Sequence, residues 1–559
     1  MRKYETHLNA DTEGLLASRI IASVGVAVLA VLLCVYPAQA QTGPGGVGSD
    51  GSNEANLELW LRGDAGTVTD ASGNVAEWAD QSGNGVDVTQ SASASKPTFI
   101  ANARNTFPVI EFDGSDDVLG GNFNNTFENF TLFAVVSANN WQTGSRSEYF
   151  STEEDVSNKP LNWAIENGTW SHYRGQKGGN VIDIDVSGLA NDSYHQFPFV
   201  QDRIGPTVVD LSANLDSGAD VTANDDYENL QNNFSVGATE PSGNHWDGTV
   251  AEVVFYSNPL NSVRKDIVQN YLSAKYDTPL NSNDLYTGDD GGYDFDVIGI
   301  GRRSTNDSHE ASEAAGLEIV DPGQLTNGDF IFAGHNVKVN SATADNTPSG
   351  IESRFDRVWA IEVTGSPANT NLTFDLSEAG LNGPAESASD YSLLFRDGTT
   401  GNFAEVVIGA TSVTNGDKIN FDGADIVGLE SSNGDGDKFG YFTVGTSSTT
   451  GFDKVSITIT GESGNEAGFG GTGGDAGWRM MANPVRNSNG SAPTAGDLYS
   501  VEDGEGTPFA DFNLPDGGGS MYQLWDDDAG AWTKTGPNEV KAGTDIPLGT
   551  GFMLYFFDD

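Results

Sequence analysis

A chain of 559 residues is too long for a single hydrophobic core, and its formal net charge of −53 makes nucleic acid and anionic membrane poor partners. Seventy glycines, many Asn, Asp, Ser and Thr, and short alternating apolar runs exclude a predominantly helical fold and predict an all-β protein of several domains. The single cysteine, Cys34, excludes an internal disulfide, so packing, bound ions or both must supply the stability.

Arg2, Lys3 and Arg19 precede an apolar run from Ile20 to Tyr36 that closes on Ala38-Gln39-Ala40, the pattern of an export signal over residues 1–40 that is cleaved after Ala40. The run is short for a permanent membrane anchor, and the small-residue site follows it directly. Cleavage removes three basic and three acidic side chains, so the mature chain keeps its charge and loses Cys34. Residues 41–56, QTGPGGVGSDGSNEAN, have no apolar period and read as a flexible leader. The acidic residues are spread over every region, as on a surface adapted to high salt, where repulsion is screened over a few ångströms. The sharper alternative is that some of them converge on Ca²⁺, which takes several oxygen ligands.

Folded sequence begins at Leu57. Leu57, Leu59 and Leu61 alternate with polar neighbours as a half-buried strand requires, Trp60 and Trp78 are large enough to fill the space between two sheets, and Gly83, Gly85 and Gly114 supply turns. Phe130 to Val136 reads as a central strand. Thr249 to Tyr256 is a nearly unbroken run of β-branched and aromatic residues, a strand buried on both faces and stopped by Pro259. Asn261 or Ser262 then caps a helix with Val263, Ile267, Val268, Tyr271 and Leu272 on one face, Lys275 suits its negative C-terminal end, and Pro279 prevents it from running on.

Four pieces, LELWLRGDAG, VAEWADQSGNGVDVTQ, KPTF and FPVIEFDGSDDVL, together with the closing helix ending in YLSAKY, resemble in order and spacing the bacterial laminin-G-like, concanavalin-type jelly-roll domains. The resemblance covers residues 57–283. It implies a jelly roll with one C-terminal amphipathic helix, recognition of a glycan or extracellular protein in adhesion, and Ca²⁺ at the sandwich rim. Residues 284–446 contain DVIGIGRR, NGDFIFAGHN, RFDRVWAIEVTG and FGYFTVGT, which resemble a β domain of unknown function common in secreted bacterial surface proteins; a second sandwich is the expectation. Thr446 to Gly451 reads as a linker, and Val455, Ile457 and Ile459 as a new strand. From GWRMMANPV to PLGTGFMLYFFDD the chain resembles a β module of type IX-secreted proteins, which implies a third, truncated module over residues 447–559 and a secreted or cell-surface location in a Gram-negative bacterium. The fold expected is therefore a set of tandem β-sandwiches.

The chemistry is sparse. Glu111, Asp113 and Asp116 echo the Glu-x-Asp-x-x-Glu strand of jelly-roll β-glucanases, but Asp116 is one methylene short and Gly114-Ser115 favours a turn. No His pair has zinc-helix spacing, each mature-chain His reads as a surface or turn residue, and there is no Gly-x-Ser-x-Gly elbow. Asp113, Asp116 and Asp117 form one candidate Ca²⁺ cluster, and Asp435 and Asp437, within Asn433 to Asp437, form another; the plain alternative for both is a turn. Trp141, Trp163, Trp170 and Trp246, flanked by polar residues, are candidates for stacking on a sugar ring, with burial in the core as the alternative. Binding without catalysis is the leading expectation; the alternatives are a glycoside hydrolase or lyase and a structural spacer.

Overall fold

The computed structural model describes residues 42–48 and 56–448 apart from 153–160, 175–178, 227–229, 240–242, 322–324, 368, 382–386, 404, 425, 427–430 and 433–437, together with Phe452 and the backbone of four strands between Gly477 and Phe556. The signal over residues 1–40, the strand expected at Val455 to Ile459, and Asp435 and Asp437 lie outside the described residues.

All the named strands pair antiparallel, and the only α-helix among the described residues is Ser262–Tyr276, called α1. Two nine-stranded sheets face each other. The first runs Val221–Asp226, Val208–Ala213, Phe199–Arg203, Phe130–Ala138, Asp247–Tyr256, Phe107–Asp113, Thr98–Arg104, with Leu57–Arg62 also paired to Asp247–Tyr256. The second has Leu161–Glu166, Ser147–Thr152, Asn233–Val236 and Leu119–Asn122 at its middle.

The strand period of two divides the Phe130–Ala138 strand between two cores. Phe130, Leu132, Ala134 and Val136 enter the core between the sheets, whereas Phe133 and Val135 enter a second core against α1. The first sheet is thus buried on both faces, which is why its central strands read as unbroken apolar runs. Trp78 fills the space between the sheets as expected. Trp60 does not: it points to the opposite face, where its indole N–H donates to Glu252 Oε1 over 2.6 Å.

Helix α1 starts where Asn261 Oδ1 accepts the Arg264 amide hydrogen (2.8 Å), and it stops at Asp277, which adopts a left-handed conformation. It is not a half-exposed amphipathic helix. Everything in it except Ser262 and Lys265 is buried, because the strands that follow cover the face opposite the first sheet. Its polar residues are partnered there: Asp266 with Arg303 (2.6 Å), and Asn270 Oδ1 with the amides of Leu285 and Tyr286.

A ten-stranded and a five-stranded sheet, from Phe295–Ser304 to Lys438–Thr446, enclose a third core around Trp359, Phe355, Phe374 and Phe421. Thr446 is buried at the end of its strand, and Phe452 packs on Phe355 and Tyr391, so the stretch read as a linker is bounded on both sides by this core. Farther on, Gly477–Ala482, Gly551–Phe556, Tyr522–Asp526 and Ala531–Thr533 form a four-stranded sheet. No helix among the described residues is long and apolar enough to cross a membrane. The leader expected to be flexible is, over Pro44 to Gly48, buried.

Candidate functional site

At one end of the first sheet the Phe107–Asp113 strand gives way to a turn. Gly114 (φ 72°) takes the left-handed conformation that lets the chain reverse there, and an added Cβ would come within 2.8 Å of the Asp247 side chain. Asp113 Oδ1 accepts the amide hydrogens of Ser115 (2.8 Å) and Asp116 (3.4 Å), while Asp117 Oδ2 accepts that of Asp113 (2.9 Å). These bonds are the turn-capping role that the sequence offers. They also gather the three carboxylates, so that one oxygen from each of Asp113, Asp116 and Asp117 lies within 4.8 Å of the others.

Asp113 and Asp116 are exposed and Asp117 is buried. Burial, reinforced by the charges of Asp113 and Asp116, pushes the Asp117 carboxyl up to about 6. The turn is braced from outside: Gly114 N–H donates to Trp246 O (2.9 Å), and His245 Nδ1 lies 3.3 Å from Asp117 O. The brace is itself anchored on the second sheet, where Ser147 Oγ donates to His245 O (3.0 Å) and Glu148 N–H to Asn244 O (2.9 Å). Exposed Asn139 donates to Asp247 Oδ1 (2.7 Å) beside the turn, so the rim carries amide and carboxylate groups next to the acidic cluster.

The four candidate tryptophans do not join this rim. Trp141, Trp163, Trp170 and Trp246 are all fully buried in the core between the sheets. Trp170 stacks on Phe197 at 5.3 Å and donates to Tyr149 Oη, Trp163 packs edge-on to Phe130 and Phe150, and Trp141 packs edge-on to His195. Trp163 and Trp170 lie in strands, where alternate residues face opposite sides of the sheet and these indoles take the inner face, whereas Trp141 and Trp246 reach the same core from a turn and from the residue before the Asp247–Tyr256 strand. Trp246 contributes as an anchor for the brace.

Residues 264–432 match a domain of unknown function, DUF8202. The match takes in most of α1 and most of the sandwich after it, stopping before the Lys438–Thr446 strand, and includes none of Asp113, Asp116 and Asp117. No curated protein matches the chain. Among solved structures, domain 4 of AbnA, a GH43 extracellular arabinanase from Geobacillus stearothermophilus, in complex with arabinotriose, is similar at 11% identity over 39% of this chain and 98% of that one, with a TM-score of 0.26. The botulinum neurotoxin serotype D ligand binding domain in complex with N-acetylneuraminic acid gives 12%, 69%, 96% and 0.31. A Ruminococcus gnavus IT-sialidase CBM40 bound to α2,3-sialyllactose gives 9%, 29%, 94% and 0.21. No residue of this chain takes a role from these likenesses.

Outside DUF8202, two polar groups escaped the sequence. The histidines read as surface residues are mostly interior: His172, His195, His309 and His335 are buried. His195 Nδ1 is 2.5 Å from Asp216 Oδ2 and its Nε2 is 2.7 Å from Ser193 Oγ, the spacing of a nucleophile, a base and its orienting acid. The proton count argues against that use. Ser193 Oγ is 2.5 Å from Ala190 O, which only accepts, so the single hydroxyl proton goes there and the serine accepts from His195 Nε2–H. In that arrangement the hydroxyl proton points away from the imidazole, which is therefore not placed to withdraw it. The second group is Glu148, sealed from solvent, with Oε1 accepting from Arg146, Asn162 and Asn244 at 2.6 to 3.0 Å; burial raises its carboxyl above the ordinary range. Both lie in strands whose side-chain contacts come from distant segments, which no local motif reports. The glucanase-like reading of Glu111 also meets a geometric obstacle, since its strand stops at Asp113 and Asp116 lies beyond the turn.

Proposed function

We propose that the protein is an exported binding protein that takes Ca²⁺ at Asp113, Asp116 and Asp117 and holds a glycan at the adjoining rim, in an adhesive role. The observation that carries the reading is the convergence of three carboxylates at one sheet end. The donor set is all oxygen, as a hard cation prefers, and oxygens within 4.8 Å of one another can share an ion that sits about 2.3 to 2.6 Å from each. The hydrogen bonds within the turn engage Asp113 Oδ1 and Asp117 Oδ2, and leave the second oxygen of each outside them. Ca²⁺, when bound, supplies open coordination positions for vicinal hydroxyls. Asn139 and Asp247 lie beside the turn to bond further hydroxyls, and the burial of the tryptophans means that polar groups rather than stacked rings would dominate recognition. A glycan array probed with the mature chain in Ca²⁺ and in EGTA tests the reading: binding confined to the Ca²⁺ arm supports it, and no difference between the arms removes it.

A spacer role is the second reading, favoured by the burial of α1 between the first sheet and the strands that follow. Absence of binding on both glycan and extracellular-protein arrays would favour that reading.

A further inference from the structure

Residues Thr42 to Gly48 occupy a fitted seat. Pro44–Gly46 makes two overlapping tight turns, closed by Gly46 N–H to Gly43 O (2.9 Å) and Val47 N–H to Pro44 O (3.1 Å), and it is buried throughout. One wall belongs to the first sandwich and α1. Val47 is fully buried in the core that contains Ile267 and Tyr256, and Tyr256 Oη donates to Val47 O (2.8 Å). The other wall belongs to the sandwich that follows, where His309 Nε2 meets Gly46 O at 3.2 Å and Thr42 forms a parallel bridge with Glu313.

The proton positions in that second wall follow from acceptor chemistry. Ser312 Oγ lies 2.5 Å from Gly299 O and gives its proton to that carbonyl. It therefore accepts from His309 Nε2, 2.9 Å away, and the same N–H faces Gly46 O. Both walls thus present a donor to consecutive carbonyls of the segment. Sterics add selectivity. A Cβ on Gly45 would come within 2.7 Å of Ile267 Cγ2, one on Gly46 within 2.5 Å of Ser312 Cβ, and one on Gly48 within 1.8 Å of Thr42 O. Gly45 and Gly46 also have φ of 70° and 80°, which side chains disfavour.

We propose that this junction is a peptide-binding groove selective for Pro-Gly-Gly-Val-Gly, and that the chain's own N-terminal segment is its resident ligand, clasping α1 to the second sandwich. The expected cleavage after Ala40 puts the new terminus at Gln41, one residue before the seat, so the occupant enters as a free end. An added peptide of the same sequence then competes for, or refills, the groove. The recognition chemistry is one apolar anchor, two carbonyl acceptors and glycines where nothing larger fits.

The test compares the chain from Gln41 with one that starts at Asn56, by thermal unfolding with and without the synthetic peptides QTGPGGVG and QTGPGAVG. The shortened chain is expected to unfold several degrees lower, QTGPGGVG to restore most of the loss, and the alanine peptide to bind about tenfold or more weakly. An unchanged midpoint on truncation, or equal binding of both peptides, overturns the proposal. If the shortened chain does not fold, Gly46→Ala in the full mature chain replaces it, read by hydrogen exchange with circular dichroism confirming the sheets. Faster exchange at residues 45–48 and at the edge near Ser312 supports the clasp, and unchanged protection overturns it.

Discussion

Lys275 Nζ lies 2.8 Å from Glu252 Oε2, with both side chains sealed from solvent, and this contact ties the last turn of α1 to the central sheet. The carboxylate is fully partnered: Trp60 Nε1 (2.6 Å) and Tyr271 Oη (3.0 Å) donate to Oε1, and Tyr276 Oη (2.9 Å) donates to Oε2. Lys275 also reaches Asp64 at 2.8 Å. A helix-end dipole contact is worth about 0.3–1 kcal/mol, whereas stripping one partner from a buried pair costs about 3–5 kcal/mol. Lys275→Met is therefore expected to destabilise by the larger amount in denaturant unfolding. Lys275→Met combined with Glu252→Gln is expected to recover part of it, because no bare charge remains.

The pH dependence of the acidic turn has a definite sign. With its carboxyl raised to about 6, Asp117 binds a proton more readily in the folded chain than in the unfolded one, whose value is about 3.9. Its contribution is complete below about pH 4 and lost as pH rises through about 6. Metal-free protein is thus expected to give up stability over that window, less so as Asp117→Asn. Ca²⁺ requires the ionised form, so its affinity is expected to strengthen over the same window. Thermal unfolding and calorimetry from pH 4 to 7 check both.

Core and rim respond differently to substitution. Trp163→Ala is expected to cost about 3–5 kcal/mol through the cavity it leaves. Asp116→Asn, at an exposed position, is expected to leave stability within about 0.5 kcal/mol while lowering Ca²⁺ affinity at least severalfold. Unfolding midpoints and titrations on the same two variants separate the roles.

Ser193 is expected to be unreactive. A fluorophosphonate probe applied to the mature chain should leave it unlabelled, since its proton is committed to Ala190 O. Labelling that is lost in Ser193→Ala would show that the hydroxyl turns toward His195.

The architecture was legible where a local pattern has one structural reading. Leu57, Leu59 and Leu61 alternate and are buried, Gly114 turns, and Asn261 caps α1. Enclosure by distant chain was not legible. The polar residues of α1 look solvated until Glu252 and Asp64 meet Lys275 on one side and the chain after Asn283 meets Asp266 and Asn270 on the other, and PGGVG looks unstructured until Ile267 and Ser312 close on it. The same limit explains the site. Asp113, Asp116 and Asp117 are neighbours in sequence and stay neighbours in space, whereas Trp163 and Trp170 turn inward according to strand phase and Trp141 and Trp246 do so from outside the strands, and flanking polarity reports neither.

Isothermal titration of the mature chain with Ca²⁺ at pH 7, beside Asp113→Asn/Asp117→Asn, is the most direct measurement. Saturable heat at about one ion per chain in the parent, with none in the double variant and the fold retained, is expected. Equal heat in both proteins, or none in either, would contradict a cation site at the turn and the glycan-holding role built on it.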